Sequence, residues 1–143
     1  MNAEAILQSK GHEVVTINPE DTVLEAAKVL DKNRIGAAVV TEANGTVCGV
    51  LSERDVARQI ARQGMDALQR PISECMSRNV ITAKLDDSID TLLACMTDRR
   101  VRHLPVMSNA KLVGVISIGD VVKRKITETE AEAEAMKAYI SAG

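Results

Sequence analysis

The sequence predicts an α/β (α+β) fold built from two tandem copies of one β-α-β-β-α unit. Three observations predict it. The second half of the chain repeats the first at an offset of about 66 residues, each half carries a helical apolar pattern, and each then carries two β-rich runs joined by a turn. We expect repeat 1 over residues 11–63 and repeat 2 over residues 76–126. Residues 64–75 are expected to be a linker, and residues 127–143 an acidic extension of the last helix.

Each repeat is expected to open with a short strand followed by an amphipathic helix. The strand segments are residues 14–16 and 80–82, which close with Thr16 and Thr82. Thr22 with Glu25 predicts a capping box for the first helix, and Ser88 predicts an N-cap for the second helix without a reciprocal acid. The apolar positions show the i, i+3, i+4, i+7 spacing of a helix; they are Val23, Ala26, Ala27 and Leu30, then Ile89, Leu92, Leu93 and Met96.

Two more strands and a second helix complete each repeat. Asn44-Gly45 predicts a hairpin turn in repeat 1, and the corresponding turn in repeat 2 is one residue shorter. Weaker signals indicate a small leading helix at residues 3–9 and a short helical turn within residues 63–75. The final helix, residues 121–140, is longer than its counterpart in repeat 1. The expected strands are residues 36–41 and 47–51, then 102–107 and 112–116.

Composition argues against several classes of partner. Eighteen Lys and Arg against 20 Asp and Glu give a net charge of −2, so no positive field attracts nucleic acid or an anionic membrane. Tyr139 is the sole aromatic residue, which removes the stacking platform that single-strand binders use. Residues 1–9 do not have the apolar run of a signal peptide, and no segment has the length of a membrane span. We therefore expect a cytoplasmic protein with no nucleic-acid or membrane partner.

No motif for catalysis or metal binding is found. Cys48, Cys75 and Cys95 are widely spaced and include no C-x-x-C pair, so neither a disulfide framework nor a zinc site is predicted. The sequence has no P-loop, no G-x-G-x-x-G, no H-E-x-x-H and no G-x-S-x-G. We predict a protein that is not an enzyme, with a nucleotide-hydrolysing activity as the weaker alternative.

A repeated G-h-h-S-x-x-D motif, in which h is apolar, ends the second hairpin of each repeat. It occupies residues 49–55 and 114–120, and the segment Arg102-His103-Leu104-Pro105-Val106 lies between the two copies. With these features the chain resembles the CBS domain family, and in particular its small stand-alone bacterial proteins. The resemblance implies a Bateman module, in which two repeats pack sheet to sheet with pseudo-twofold symmetry and bind adenine nucleotides in the cleft between them. AMP, ADP, ATP and NAD(H) are the ligands we expect, as regulatory ligands rather than catalytic cofactors.

The resemblance assigns the motif aspartates, Asp55 and Asp120, to the ribose hydroxyls. It places Ser52 and Ser117 near ribose or phosphate. The chemistry agrees, because a carboxylate accepts hydrogen bonds from both hydroxyls of a vicinal diol, and a serine before a helix lies beside free backbone N–H groups that favour anions. The alternative is structural: both serines cap their helices, and both aspartates complement the helix dipole.

The remaining site residues are candidates for phosphate and for adenine. Arginine suits phosphate through its planar fork, but a solvated helix end explains at least one of Arg99 and Arg100 better. A buried hydrogen bond explains His103 equally well, and strand propensity alone also explains both threonines. The phosphate and ribose candidates are Arg54, Arg99, Arg100, Arg102, His103, Thr16 and Thr82. The adenine pocket is expected to be Val15, Ala37, Ala38 and Val39 in one site and Ile81, Leu104 and Val106, with His103, in the other.

The sequence therefore predicts a regulatory energy-sensor module that signals its bound nucleotide to an unknown partner protein. The alternative is a ligand-independent adaptor that only holds a partner. We also expect a homodimer in which helix faces of the repeats meet, since each repeat has a thin core. The acidic extension is either a solvated helix end or an element for oligomerisation or partner binding.

Overall fold

The computed structural model describes residues 1–142, and within them the chain forms five α-helices and two three-stranded sheets. Its two repeats have the same order of elements, and this confirms the predicted fold class. The helices are α1 (Ala3–Lys10), α2 (Val23–Asn33), α3 (Glu53–Gln63), α4 (Ile89–Arg99) and α5 (Ile118–Ala142). The strands are β1 (Thr16–Ile17), β2 (Ala37–Thr41), β3 (Val47–Ser52), β4 (Ala83–Lys84), β5 (His103–Ser108) and β6 (Lys111–Ser117).

Each sheet combines one parallel and one antiparallel strand pair. β1 runs parallel to β2, with Thr16 aligned to Val39, and β2 runs antiparallel to β3, with Ala37 opposite Ser52. β4, β5 and β6 repeat this order, with His103 opposite Ser117. Each first strand begins later than expected: Thr16 opens β1 rather than closing it, and Thr82 precedes β4. Pairing with the partner strand, rather than the β-propensity of the preceding valines, sets where these strands start.

The predicted helix caps form, with one change in detail. The Thr22 hydroxyl accepts a hydrogen bond from the Glu25 amide at 3.2 Å, and Ser88 caps α4 through the Thr91 amide at 3.1 Å. The Thr22 hydroxyl donates to the Glu25 carboxylate at 3.2 Å. In a capping box that carboxylate would instead accept from the Thr22 backbone amide. Both helices therefore start where the sequence predicts.

Both predicted hairpin turns form, but the second is three residues shorter than the first rather than one, because β5 and β6 extend to Ser108 and Lys111. β2 and β3 are joined around Gly45, whose φ of +86° is a conformation that glycine adopts at no steric cost. β5 and β6 are joined by a two-residue turn at Asn109 and Ala110, with φ values of +51° and +62°. The positive φ at both central residues is that of a type I′ hairpin turn.

The chain divides into two compact units that do not follow chain order. One unit contains residues 13–81, and the other contains residues 1–12 together with residues 82 onward. The helical segment before each repeat therefore belongs with the other repeat. The helical segment is attached by an equivalent hydrogen bond in each unit. The Ile72 amide donates to the Asp21 carbonyl at 2.8 Å, and the Ala3 amide donates to the Asp87 carbonyl at 2.9 Å. The predicted limits of the repeats and linker stay a prediction.

The glycine that opens each motif, Gly49 or Gly114, leaves space for a side chain of the segment that packs on its sheet. A Cβ atom at Gly49 would lie 2.5 Å from Sδ of Met76, and a Cβ atom at Gly114 would lie 2.5 Å from Cδ2 of Leu7. Real Cβ atoms essentially never lie this close to another atom, so a Cβ atom at either position would force the packed side chain to shift. The leading helix predicted at residues 3–9 is thus α1, and Leu7 fixes it to the sheet of repeat 2. The helical turn predicted within residues 63–75 forms as two 3₁₀ helices, Gly64–Gln69 and Ile72–Glu74.

Candidate functional site

The junction between β3 and α3 forms the motif site of repeat 1. Ser52 ends β3 and is the N-cap of α3; its hydroxyl accepts from the Asp55 amide at 3.2 Å. The Asp55 carboxylate accepts in return from the amide and the hydroxyl of Ser52, at 2.9 and 3.0 Å. The Glu53 amide donates to the Gly36 carbonyl at 2.9 Å and so holds the start of β2 beside the motif. The Asp55 side chain stays 18% exposed, so a ligand hydroxyl can reach it.

The same junction recurs between β6 and α5 in repeat 2. The Ser117 hydroxyl accepts from the Asp120 amide at 3.2 Å, and Asp120 Oδ2 accepts from the Ser117 amide at 2.9 Å. The Ile118 amide donates to the Arg102 carbonyl at 2.8 Å, which repeats the Glu53 contact. Both serines therefore do cap their helices, and both aspartates complete the cap by accepting from the serine amide. A capping carboxylate with exposed surface keeps lone pairs for a ligand, so this geometry is compatible with the ribose role and with the structural one.

The two motif aspartates differ in their cationic partners. Lys10, the last residue of α1, contacts Asp120 at 2.6 Å and donates to the Val115 carbonyl at 2.9 Å. Asp55 is paired at 3.5 Å with Arg58 of its own helix. Partial burial acts to raise the pKa of Asp120, but the hydrogen bond from Lys10 and the bonds from Ser117 outweigh it and lower that pKa. Any ligand hydroxyl that binds Asp120 must therefore share the carboxylate with Lys10.

Replacing Lys10 with methionine should cost about 0.5–1 kcal/mol of stability at pH 7, as a partly exposed ion pair does. Because the folded-state pKa of Asp120 lies below its ordinary value of 3.8, the pair stabilises the fold above that pH. The stabilisation is lost as the pH falls through the lowered pKa. Urea unfolding of the native chain and Lys10→Met should thus differ at pH 7 and converge in strong acid. Lys137→Met, which removes an exposed ammonium 3.6 Å from Glu134, is the control; equal losses in both variants would contradict the prediction.

The predicted adenine residues of repeat 1 lie together at the end of the sheet that carries the motif. Ala37, Ala38 and Val39 are buried in β2, and Ala37 is opposite Ser52. Val15 directly precedes β1, whose Thr16 is aligned with Val39. In repeat 2, Leu104 and Val106 are buried in β5, directly after His103, which is opposite Ser117. Ile81 is the last residue of the other compact unit, so its place in the second pocket stays a prediction.

The candidate phosphate residues are all on the surface except His103, which is partly buried. Arg54 is exposed in the first turn of α3, beside Asp55, and Arg102 is exposed directly before β5. Arg100 is the C-cap of α4 with φ +55°, and Arg34 is the C-cap of α2 with φ +53°. Sequence reasoning missed Arg34, although the offset of about 66 residues that relates the repeats also relates Arg34 to Arg100. A basic residue therefore precedes the second strand in both repeats.

A groove of about 470 Å³ lies between α2 and α3 in repeat 1 and adjoins the motif junction, since Gly36 and Glu53 line it. Its charged lining residues are Asp31, Arg34 and Glu53, and we call its apolar lining residues the apolar floor. α3 is amphipathic, yet none of its residues is buried. The motif carboxylate of Asp55 does not line the groove. The apolar floor is formed by Ala27, Leu30, Ile35, Val56, Ala57 and Ile60.

A metal site, a membrane-spanning helix and reactive thiols are the other features to consider in the described residues. Residues 1–142 contain no cluster of His, Cys, Asp and Glu that could hold a metal ion, and no helix long and apolar enough to cross a membrane. Burial raises the pKa of the Cys48 thiol and of the Cys75 thiol, with Glu42 and Glu74 acting in the same direction. Both groups are therefore protonated thiols at neutral pH rather than nucleophilic thiolates.

Comparison with known proteins identifies the repeated unit. The family model described as "CBS domain" matches residues 9–62 and again residues 72–126, which together are most of the chain. The chain belongs to the CBS-domain family. A CBS domain-containing protein of Bacillus subtilis, YhcV, is 31% identical over 119 residues, which are 83% of this chain and 84% of that protein. A CBS-domain containing protein of Agrobacterium tumefaciens has a crystal structure with a TM-score of 0.85 and 43% identity, over 87% of this chain and 92% of its own.

Two related CBS structures contain adenosine compounds. The CBS domain protein PAE2072 from Pyrobaculum aerophilum is complexed with AMP; it is 30% identical with a TM-score of 0.75, over 84% of this chain and 89% of its own. The CBS domain pair of protein MJ0100 is in complex with 5-methylthioadenosine and S-adenosyl-L-methionine; it is 25% identical with a TM-score of 0.80, over 90% of this chain and 98% of its own. Adenosine is the common part of these ligands, and a carboxylate that binds its ribose suits all of them.

Proposed function

We propose that this CBS-domain pair is a regulatory module that binds an adenosine-containing nucleotide through its Ser-x-x-Asp motifs and passes that state to a partner protein. The observation that carries the proposal is the strand-to-helix junction, which presents a partly exposed carboxylate beside a serine hydroxyl in both repeats. The carboxylate suits the ribose hydroxyls, and the start of the helix suits phosphate. AMP, ADP, ATP and NAD(H) are the ligands we propose, as regulatory ligands, in a cytoplasmic protein without catalytic activity.

We further propose that the site of repeat 1 fills first. Asp55 is paired only loosely, at 3.5 Å, with Arg58 of its own helix, whereas Asp120 is engaged at 2.6 Å by Lys10. A ribose diol bound at Asp120 would have to displace Lys10 or share the carboxylate with it. Arg54, in the first turn of α3 beside Asp55, is exposed at the surface and can turn to phosphate.

Calorimetry tests the proposed function directly. Protein stripped of nucleotide by unfolding and refolding is titrated with AMP, ADP, ATP and NADH, and with S-adenosylmethionine as a phosphate-free adenosine compound. We expect at least one nucleotide to bind with a dissociation constant on the order of micromolar, about −8 kcal/mol. Failure of every compound to bind at millimolar concentration would overturn the proposal and favour the ligand-independent adaptor. Turnover of ATP or NADH during the same incubation would favour an enzyme.

We also propose that the chain is a homodimer and that the groove between α2 and α3 contributes a contact surface. Its lining carries both signs of charge, Asp31 and Glu53 against Arg34, so a twofold contact of the surface with itself can bring opposite charges together. The apolar floor would then be removed from water. Light scattering at micromolar concentration should give the mass of two chains, and a mass of 15.4 kDa would contradict the proposal.

A further inference from the structure

The C-terminal helix α5 leaves most of its surface without a neighbour. It has 25 residues against 11 in its counterpart α3. Val121 in its first turn is its buried residue, and every side chain from Thr129 to Ala142 is exposed. Large apolar side chains are nevertheless present there: Met136 is 60% exposed and Ile140 is 69% exposed. A solvated helix end does not need such side chains, and their arrangement on the helix indicates what covers them.

Six of the exposed apolar and small residues of α5 form one stripe along the helix, and Ile118 and Tyr139, which are also exposed, lie off it. The six follow one another at alternating intervals of four and three residues, which is the heptad spacing of positions a and d in a coiled coil. All six members are exposed in the single chain, so the stripe is open along its whole length. In order they are Val122, Ile126, Thr129, Ala133, Met136 and Ile140. We call this set the α5 seam.

Charged residues beside the seam specify a parallel partner. With Ile126 at position a, Lys125 and Glu132 occupy g positions, and Glu130 and Lys137 occupy e positions. In a parallel, in-register pair each g residue faces the e residue five positions later on the other helix. Lys125 then faces Glu130 of the partner subunit, and Glu132 faces Lys137 of the partner subunit. Both contacts join opposite charges. An antiparallel pair centred on the seam would instead bring Glu132 close to Glu132 of the partner subunit.

We propose that α5 forms a parallel, two-stranded coiled coil with α5 of a second copy of this chain. β-branched residues at a positions are a feature of parallel dimers, and Ile126 and Ile140 occupy a positions here. Thr129 and Ala133 make the central layers small, so the association is weak and sensitive to concentration. Lys125 already contacts Asp90 at 3.1 Å, and its ammonium has three N–H donors, enough to contact Glu130 of the partner subunit as well. The proposal does not depend on nucleotide binding, so the calorimetric result above neither supports nor contradicts it.

Disulfide formation in the full-length chain tests the orientation. Met136→Cys places a thiol at a d position, where parallel helices bring equivalent Cα atoms within the disulfide range of about 4.4–6.8 Å. Ala138→Cys, two residues further on, places a thiol at the outward f position and is the matched control. Under a mild thiol oxidant we expect at least tenfold more dimer, mapped by peptide mass to the introduced thiols, from Met136→Cys than from Ala138→Cys. Equal yields, or no dimer from either variant, would overturn the proposal.

Charge reversal tests the predicted neighbours and excludes other occupants of the seam. In the Met136→Cys background, Glu132→Lys should reduce the disulfide yield several-fold because each Lys137 then faces a like charge, and adding Lys137→Glu should restore it. Glu134→Lys makes the same change of charge at a b position off the seam and should leave the yield unchanged. A yield that follows net charge alone, or no rescue by the double reversal, would overturn the parallel pairing. An antiparallel pair, or a different protein bound to the seam, predicts no rescue.

Discussion

Replacing Leu7 with alanine is expected to lower the free energy of unfolding by about 2–5 kcal/mol, the range for removing a fully buried leucine. Leu7 is 0% exposed, and its side chain lies against Gly114 in the space that a Cβ atom there would fill. The residue belongs to the first helix of the chain but is part of the core of repeat 2. Urea unfolding followed by circular dichroism measures the loss, with a lower midpoint at an unchanged slope.

Two further variants separate this contact from a general effect of substitution. Met65→Ala removes a side chain that is 70% exposed and should change the stability by less than about 0.5 kcal/mol. Gly114→Ala should be destabilising in the native chain but much less so with Leu7→Ala, because the added methyl group enters the vacated space. If the effects of Leu7→Ala and Gly114→Ala are additive, or if Leu7→Ala costs less than about 1 kcal/mol, the contact does not stabilise the fold as we describe.

The repeats could be predicted from sequence because their signals are local. Thr22 and Ser88 mark the helix starts through bonds to amides three residues later, and the hairpin turns depend on only a few consecutive residues. The exchange of leading segments could not be predicted in this way. Nothing within residues 3–10 indicates which sheet α1 will contact. The sequence signal for this packing was indirect. Each motif has a glycine, Gly49 or Gly114, at the position where a side chain of the packed segment lies against the strand.

The candidate site was predictable in its motif but not in its asymmetry. Ser52 with Asp55 and Ser117 with Asp120 form matching junctions, as equal spacing implies. Lys10 is 110 residues away from Asp120 along the chain and reaches it only because α1 packs on repeat 2. A sequence pattern carries no information on such a contact. The consequence is functional: two motifs that look equal in sequence offer a ligand two different carboxylates.

Asp55→Ala is expected to weaken AMP binding by about 2 kcal/mol, roughly thirtyfold, if repeat 1 holds the ribose. The structure adds a second effect, because Asp55 also accepts the Ser52 amide in a capping box whose loss costs about 1 kcal/mol of stability. Stability alone therefore cannot decide the role of the aspartate. Binding has to be measured by calorimetry at a temperature where both native and variant chains are folded.

Matched measurements separate the ribose role of Asp55 from its capping role. Thr22→Ala removes the N-cap of α2 in the same repeat, so it should lower stability by a similar amount and leave AMP affinity unchanged. 2′-Deoxy-AMP should bind the native chain more weakly than AMP, and Asp55→Ala should show little further discrimination, because the hydroxyl and the carboxylate form one interacting pair. Asp120→Ala should reduce the affinity of the repeat 1 site much less, since Asp120 belongs to the motif of repeat 2, where Lys10 engages it. If Asp55→Ala binds AMP as tightly as the native chain and only melts at a lower temperature, Asp55 is a helix cap, and repeat 1 does not bind ribose through it.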